Sequence, residues 1–425
     1  MDSDSAAVLT IGATLRAGLV ALLARSSSAH ESVQFAQPST TAFTLLKEGY
    51  HLLTRLRPQV NPYDSASCHT PPALLAFVGP LTQLGSEWPS YALWIGADVV
   101  TAWTLGRIAS RRKRGKVLDT ERERVWSPAR VAAIHMLHPF AVVTMLARST
   151  AAFSNLFLAL ALDAALGGSA IPAAFFLSFA THVSLYPAML LPPLLLLAYS
   201  SVSPDQPRPD RRTFAVQGVL AFAAHQIALL AWSRWWTGSW SYLSSVYGVI
   251  LTISDLKPNI GLAWYFFIEM FDHFRAFFLV VFALHPLIYV APLTIAYRKE
   301  PLFACTLLVG TIALLKSYPS FADWAIWHAL LGCFSEYLPY VSSPLFNTLL
   351  PLYAVLLLPA FHHLWLSAGT GNANFFYAAT LVWAISMGGW AIEAVKAYGK
   401  RDVLLLQGEQ GRAAWREGKW KLVQR

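Results

Sequence analysis

The sequence predicts an all-α, polytopic membrane protein with about twelve transmembrane helices. Three observations lead to this class. Of the 425 residues, 56% are hydrophobic and only 13% are charged, about half the charged fraction of a soluble domain. Much of the chain divides into apolar stretches of about 20 residues, the length that crosses a bilayer. Lys and Arg are concentrated in short segments between those stretches, as in membrane proteins with cytoplasmic loops.

The first apolar stretch covers about residues 7–25 and carries one charge in its interior, Arg16. Its acidic start, and the lack of a small-residue cleavage site after it, favour an uncleaved first span over a signal peptide. The run 170–200 is interrupted at Pro187 and at Pro192–Pro193. Counting two short spans there gives a total of twelve, and one span gives eleven. The remaining stretches are 88–108, 128–148, 151–168, 213–235, 261–296, 301–317, 319–337, 345–366 and 373–397.

The basic segments predict the orientation. They are Arg107–Arg124, Pro207–Arg212, Tyr297–Lys299 and the tail from Lys396. With twelve helices, all four lie on one side, which the distribution of Lys and Arg makes the cytoplasm, and both termini lie there too. We therefore expect a single transmembrane domain, 1–425. Its parts are a luminal loop at 26–87, a basic cytoplasmic loop at 107–127, a luminal loop at 236–260 and a cytoplasmic tail at 403–425.

The first luminal loop contains an amphipathic stretch, Thr44–Leu56. Its apolar residues fall on one face of a helix, and such a helix can lie in the membrane interface. That face consists of Leu45, Leu46, Gly49, Leu52, Leu53 and Leu56.

Composition also excludes several classes of function. The net charge of +9 is spread over loops between apolar runs, so no basic face for nucleic acid is assembled. The three cysteines, Cys68, Cys305 and Cys333, are too scattered for a disulfide framework or a zinc site. No cofactor is implied.

Ionisable residues inside apolar spans are candidates for function. The densest group is Glu269, Asp272, His273 and Arg275. Glu269 and His273 are four residues apart, so on one continuous helix they share a face. An internal ion-pair cluster is favoured over a metal site, because no second carboxylate–His pair has such spacing.

A second group is Lys316 and Asp323, separated by Pro319. The proline breaks the helix, so two charges and freed backbone groups meet at one place. Irregular backbone at membrane depth is tolerated inside protein or beside water. A cavity wall and a short surface loop both fit this pattern.

A third group mixes aromatic and amide side chains near a predicted membrane boundary. Amides bond sugar hydroxyls and aromatic rings stack on sugars and acyl chains, so we favour contact with a glycolipid over a plain aromatic belt. The candidates are His362, His363, Trp365, Asn372, Asn374, Phe375, Phe376 and Tyr377.

The first luminal loop offers two weaker candidates. Asp64 has the position of a catalytic base in lipid-linked-sugar transferases, but Asn61-Pro-Tyr-Asp is also an ordinary turn sequence. Cys68 and His69 are adjacent, and neighbours on an extended segment point to opposite faces, so a Cys–His nucleophile pair is not expected.

Several long strings, in order, resemble the PIG-U family. They are YGVILTISDLKPNIGLAWYFFIEMFDHF from Tyr247, KSYPSFADWA from Lys316 and HLWLSAGTGNANFFYA from His363. TLRAGL around Arg16, LLKEGYHLLTRLRPQVNPYDSASCHTPP and THVSLYPAMLLPP from Thr181 are also similar. The resemblance covers about residues 10–400. The basic loop 107–124 looks shortened relative to the family, and the tail after 403 has no matching motif.

The resemblance implies a non-catalytic subunit of the GPI transamidase in the endoplasmic reticulum membrane. The cysteine-protease-like catalyst is then PIG-K, and PIG-T, PIG-S and the GPAA subunit complete the complex. It further implies binding of GPI glycolipid and membrane phospholipid, and a fold similar to lipid-linked-sugar (GT-C type) transferases. The string NFFYAATLVW is also similar to a segment of fatty-acid elongases.

Two hypotheses follow. In the first, an intramembrane cavity accepts GPI, the aromatic–amide residues contact it, and Glu269, Asp272, His273 and Lys316 form a polar wall. In the alternative, the chain is a dolichol-phosphate-sugar-dependent transferase with Asp64 as its base.

Overall fold

The computed structural model describes residues 3–23, 37–55, 61–65, 67–112, 124–203, 205, 207 and 209–407. Over these residues the chain is helical and contains no β-strand, so the all-α class is confirmed. Leu56, most of the basic loop 107–127 and most of the tail 403–425 lie outside the described residues.

The first half of the chain forms ten helices within the described ranges. They are α1 Ser3–Leu23, α2 Phe43–Arg55, α3 Pro72–Val78, α4 Trp88–Arg111, α5 Pro128–Leu137, α6 Pro139–Leu146, α7 Ala151–Leu166, α8 Ala170–Ser184, α9 Leu191–Ser200 and α10 Arg211–Thr237. Many of them begin with proline in the first turn, where its fixed φ suits a helix and its missing N–H costs nothing.

The second half continues after a short π-helix at Leu243–Gly248. Its helices are α11 Val249–Thr252, α12 Ala263–Glu269, α13 Asp272–Leu284, α14 Val290–Ala296, α15 Pro301–Leu315, α16 Phe321–Gly332, α17 Pro344–Leu366 and α18 Ala373–Leu406.

Among the residues that the structure describes, five helices are long and apolar enough to cross a membrane, judged by length and composition. They are α1, α10, the combined α13–α14 segment, α17 and α18. The pair α5 and α6, bent by 52° at His138, adds a sixth if it counts as one span. Shorter apolar helices such as α7, α8, α9 and α15 lie among them. The chain is a multi-pass membrane protein, while the count of twelve spans stays a prediction.

Two predicted stretches are divided in ways that the sequence only partly indicates. The run 170–200 breaks at Leu185, which has a φ of 59°, and resumes through a 3-10 turn at Tyr186–Leu190. Pro192 and Pro193 do not break it again, because they occupy the first turn of α9. The run 261–296 breaks at Met270, where the backbone is extended, and again before Pro286.

The core is centred on α15 and α16. Both are apolar on all sides, and their large side chains Phe303, Trp324 and Trp327 are buried. A helix that is hydrophobic all round belongs inside a bundle or a membrane. By contrast, α13 and α14 contain no buried residue. Such an apolar outer surface requires lipid or another protein chain.

The predicted amphipathic helix is present as α2. Phe43, Leu46, Gly49 and Leu53 form its buried face. They pack against Trp94, Cys68 and Val78 of the same chain. A Cβ atom at Gly49 would come within 2.5 Å of the Cys68 Sγ, so the glycine permits the close approach of this helix to the 61–71 loop.

Charged residues gather at one end of the bundle, which we call the basic end. It is defined by Arg107, Arg111, Arg112, Glu300 and Arg401. Arg112 forms ion pairs with Glu300 at 2.5 Å and with Glu336 at 2.6 Å. Arg401 of α18 lies 5.6 Å from the Tyr337 ring, whose hydroxyl donates to Glu300. The end of α4 and the last part of α18 therefore meet here.

The opposite end of α18 begins at Ala373, more than 25 residues from Arg401. At about 1.5 Å per residue, this separation is about the thickness of a bilayer. We call this the aromatic end and define it by Asp255, Trp264, Trp365 and Phe376.

Candidate functional site

The aromatic end is built around a cluster of rings from α12, α17 and α18. The Trp264 ring centroid lies 6.0 Å from Trp365 and 6.0 Å from Phe376. Tyr265 lies 4.7 Å from Tyr377, whose hydroxyl donates to the Leu262 carbonyl at 3.0 Å. These contacts stabilise the close packing of α12 against the α17–α18 hairpin. His362 joins the cluster through Phe376, with ring centroids 5.6 Å apart.

The two predicted asparagines have different roles. Asn372 is the N-cap of α18, and its side-chain oxygen accepts from the backbone N–H of Asn374 at 3.1 Å and of Phe375 at 3.4 Å. Asn374 itself points outward, and its side-chain oxygen accepts from the Tyr265 hydroxyl. Asn374 is an exposed residue, and the next residue, Phe375, is 54% exposed.

The predicted ligand residues therefore lie at the same end of the bundle. Their exposure separates them into two sets. Phe376 is fully buried, while Trp365, Tyr377 and His362 are half-buried, and these four hold the helices. His363, Asn372, Asn374 and Phe375 are exposed at the facing ends of α17 and α18, where a bound molecule can reach them. We call these four residues the exposed edge.

The loop at 253–262, which precedes α12, packs against this end of the bundle. The Tyr318 hydroxyl donates to the Asp255 carbonyl at 2.8 Å, and Asn259 Oδ1 accepts from the Gly261 N–H at 2.7 Å. A Cβ atom at Gly261 would lie 2.6 Å from the Pro319 ring, so only glycine lets the loop approach this closely. The loop and the 316–320 linker therefore act as one packed unit.

The first predicted luminal loop is attached to the same unit. His69 Nδ1 lies 2.7 Å from the Ser245 carbonyl, and its Nε2 lies 3.7 Å from the Asp255 carboxylate. The Ser245 hydroxyl donates to the Cys68 carbonyl at 2.7 Å. Residues far apart in the sequence are thus joined at one end of the bundle.

Lys316 and Asp323 form a buried ion pair with a Nζ–Oδ1 distance of 2.6 Å. The Asp323 carboxylate also caps α16, because its second oxygen accepts from the Ser320 N–H at 2.7 Å and the Ser320 hydroxyl at 3.0 Å. The helix α15 ends at Leu315, and the linker around Pro319 connects it to α16.

Both charges line a cavity together with Asn155, Tyr186 and Ser184. Its volume is about 30 Å³, which suffices for a water molecule but not for a lipid. This cavity is therefore too small to be the predicted GPI-accepting cavity, and GPI binding inside the bundle stays a prediction.

The predicted group at 269–275 is not the internal cluster that its spacing indicated. The helix α12 ends at Glu269 and α13 begins at Asp272, so Glu269 and His273 do not share the face of one helix. Glu269, Asp272 and His273 are exposed. Arg275 turns inward and donates to the backbone carbonyls of Thr252 and Ile253. No three His, Cys, Asp or Glu side chains stand together as metal ligands within the described ranges.

Asp64 lies in an exposed turn. Its backbone N–H donates to the Asn61 carbonyl at 3.0 Å, and its carboxylate accepts from the Asn61 side-chain amide at 3.3 Å. The nearby Cys68 is fully buried, and this burial raises the pKa of its thiol to about 11. A thiol with that pKa is protonated at neutral pH, which is unsuited to a nucleophile.

A second buried charge cluster, which was not predicted from the sequence, lies toward the middle of α1 and α4. Arg16 Nε lies 3.0 Å from Asp98 Oδ2, and Arg16 also donates to the Met136 carbonyl at 2.5 Å. His135 Nε2 is 3.6 Å from the other oxygen of Asp98. The single acid in the predicted span 88–108 was the available signal, since intramembrane carboxylates need partners. This cluster joins α1, α4 and α5.

A second missed pair is His138 and His328, whose ring nitrogens lie 3.1 Å apart. The rings stack at 5.2 Å, where the bend between α5 and α6 meets α16. This contact stabilises the bend.

The comparisons with known proteins agree on one family. A model of the family described as GPI transamidase subunit PIG-U matches residues 10–383. The chain is 33% identical to the GPI transamidase component GAB1 of Saccharomyces cerevisiae over 358 residues, 84% of each chain. It is 30% identical to the human GPI-anchor transamidase component PIGU over 402 residues, 89% of each chain. The GAB1 homolog of Schizosaccharomyces pombe is 29% identical over 84% of each chain. The chain therefore belongs to the PIG-U family of GPI transamidase subunits.

Proposed function

We propose that this chain is a non-catalytic subunit of the GPI transamidase that binds GPI at the aromatic end and presents it to a catalytic subunit. The observation that carries the proposal is the exposed edge, set on a rigid ring cluster. Exposed amides beside an exposed phenyl ring suit a molecule that is polar at one end and apolar at the other.

The exposed edge is well prepared for such binding. The Asn372 cap orients the first turn of α18, and the Tyr265 hydroxyl positions Asn374. A side chain held in place loses little conformational entropy on binding. The acyl chains would follow the exposed apolar surface of the second half of α17, where Tyr353, Leu356 and Leu364 are exposed.

We place the aromatic end on the luminal side of the endoplasmic reticulum membrane. Support comes from the basic end, where α4 ends and where α1 and α5 begin. Arg111 lies beside Gly167, and the next residue, Gly168, packs against Val202. The start of the 201–212 segment therefore also lies at this end. The described parts of the four basic segments thus lie at this end, which is the arrangement expected of cytoplasmic loops. Both termini would then be cytoplasmic.

The partners follow from membership of the family. The chain would assemble with PIG-K as the catalytic subunit and with PIG-T, PIG-S and the GPAA subunit. The exposed apolar helices α13 and α14 offer surface for such an assembly or for lipid. The alternative, a sugar transferase using Asp64, has no comparable support, because Asp64 lies in an exposed turn.

The first experiment tests Asn374 in cells that lack their own copy of this subunit. Asn374→Lys should reduce the surface display of GPI-anchored proteins several-fold while the complex still assembles. Thr370→Lys is the matched control, because it adds the same charge to the adjacent exposed loop and leaves Asn374 intact. Loss of the Asn374→Lys chain from the complex would show that Asn374 has a structural role. Equal display in both variants would show that Asn374 does not contribute to GPI binding.

The second experiment tests the assembly. The tagged chain is purified from its own membranes in mild detergent, and its partners and lipids are identified by mass spectrometry. Recovery of PIG-K, PIG-T, PIG-S and the GPAA subunit with GPI supports the proposal. Recovery of the chain alone with a dolichol-linked sugar would contradict it, and Asp64→Asn would then become the variant to examine.

A further inference from the structure

A cavity of about 440 Å³ opens at the basic end, between α1, α4 and α5. Its volume lies within the range of small-molecule sites, about 300–1,000 Å³. Each of the three helices contributes one face, because its lining residues lie about one helical turn apart, except for the adjacent Gly106 and Arg107. The lining consists of Ser5, Leu9, Trp103, Gly106, Arg107, Ser110, Pro128 and Ala132. It is separate from the exposed edge, which lies at the other end of the bundle.

The lining changes from polar to apolar along the bundle axis. Ser5 and Pro128 lie in the first turns of α1 and α5, and Ser110 lies in the last turn of α4. One turn or more toward the middle of the bundle, the same helices present Leu9, Trp103 and Ala132. The outer surface continues with exposed apolar residues, including Val100 one turn further along α4. A phospholipid has this same order of polar headgroup and apolar chain.

The polar end of the cavity carries net positive charge. Arg107 Nη2 and Arg111 Nη1 both contact the Asp163 carboxylate at 3.0 Å, so two guanidinium groups share one carboxylate. The Arg107 side chain is 35% exposed, and its guanidinium lies 4.7 Å from the Trp103 ring. The N-terminal ends of α1 and α5 add positive helix-dipole potential at the same level. Among the lining residues, Arg107 carries the positive charge, and a phosphate diester carries one negative charge to pair with it.

We infer that this cavity binds an anionic phospholipid, with its phosphate against Arg107 and an acyl chain along Trp103 and Val100. The occupant is independent of GPI and of the site at the aromatic end. Basic pockets between helices on the cytoplasmic side are a known means of holding anionic lipid headgroups. Trp103 has the place of an interfacial tryptophan, near the boundary between headgroups and chains.

The test uses the full chain purified in its complex and placed in phosphatidylcholine nanodiscs that contain photoreactive phosphatidylserine. Mass spectrometry then counts the crosslinks on α1, α4 and α5. Arg107→Gln should reduce this labelling by about tenfold, since a charge-assisted contact is lost. Ser110→Phe fills the polar end of the cavity and should abolish it. Arg130→Gln, at an exposed arginine of α5 outside the cavity, is the matched control and should label like the unaltered chain.

Other outcomes decide against the inference. Equal labelling of Arg107→Gln and Arg130→Gln would show that general surface charge, and not the cavity, attracts the lipid. Loss of labelling when inorganic phosphate is added would identify free phosphate as the ligand. A cavity that labels in the isolated chain but not in the complex would be covered by a partner helix. Thermal unfolding of each variant establishes that the fold is intact, and Arg107→Gln retains the Arg111–Asp163 ion pair.

Discussion

The buried ion pair between Lys316 and Asp323 allows a quantitative prediction. Removing one partner of a buried pair costs about 3–5 kcal/mol, because the remaining charge has lost its partner. Asp323→Ala removes the carboxylate and also the cap of α16, which adds about 1 kcal/mol. We therefore expect a loss of about 4–6 kcal/mol in the free energy of unfolding.

Lys316→Met should cost less, about 3 kcal/mol. The Asp323 carboxylate keeps its two hydrogen bonds from Ser320, so its charge is still partly stabilised. The double variant Lys316→Met with Asp323→Asn removes both charges and retains an oxygen to cap α16. Replacing a buried pair by neutral groups of similar volume is often close to neutral, so this variant should fall within about 1 kcal/mol of the original chain.

The assay is unfolding in mixed micelles of increasing denaturing detergent, followed by tryptophan fluorescence and fitted for each of the four chains. A double variant as unstable as Asp323→Ala would refute the reasoning. The loss of stability could then not come from a buried charge left without its partner. A Lys316→Met chain as stable as the original would also refute the reasoning, since no buried charge would have been left unpaired.

Three further predictions follow from the structure. Gly261→Ala should lower stability by about 1–3 kcal/mol through the clash with Pro319, and a thermal melt that matches the original chain would contradict the close packing there. Maleimide should label Cys68 slowly at pH 7, in a chain whose other cysteines are serine. Burial keeps this thiol from solvent and raises its pKa to about 11, so the folded chain should label far more slowly than the denatured chain, and equal rates would contradict this. Asp98→Asn should destabilise the attachment of α1, measured as increased proteolysis, because it leaves the Arg16 guanidinium buried without its carboxylate; unchanged proteolysis would contradict this.

Much of the helical architecture follows from the sequence, because apolar length and proline position have local causes. Each predicted span contains helix in the structure, and Pro319 correctly marks the irregular linker between Lys316 and Asp323. The aromatic and amide candidates at 362–377 also come together, since they lie at the facing ends of two consecutive helices. The residues of each group lie close together in the sequence, so the sequence alone could predict these groups.

The failures have equally specific causes. The break at Met270 carries no local signal, since neither proline nor glycine lies between Leu262 and Pro286. The spacing of Glu269 and His273 therefore indicated a helix face that does not exist. Asp98 and Arg16 are 82 residues apart, so their pairing depends on tertiary packing. The division of Asn372 and Asn374 into cap and exposed amide also required the structure.

The small volume beside Lys316 bears on how a membrane lipid is delivered to this protein. A binding chamber inside a protein requires the acyl chains to leave the bilayer, and each methylene withdrawn from it costs about 0.8 kcal/mol unless the chamber replaces that environment. A bundle whose interior here admits little more than water does not impose this step. With binding at the exposed edge, as we propose, the glycolipid would arrive by sideways diffusion within one leaflet, its tails remaining among other lipids throughout. Recognition then becomes a two-dimensional encounter, and its rate depends on the surface density of the lipid rather than on the opening of a gate.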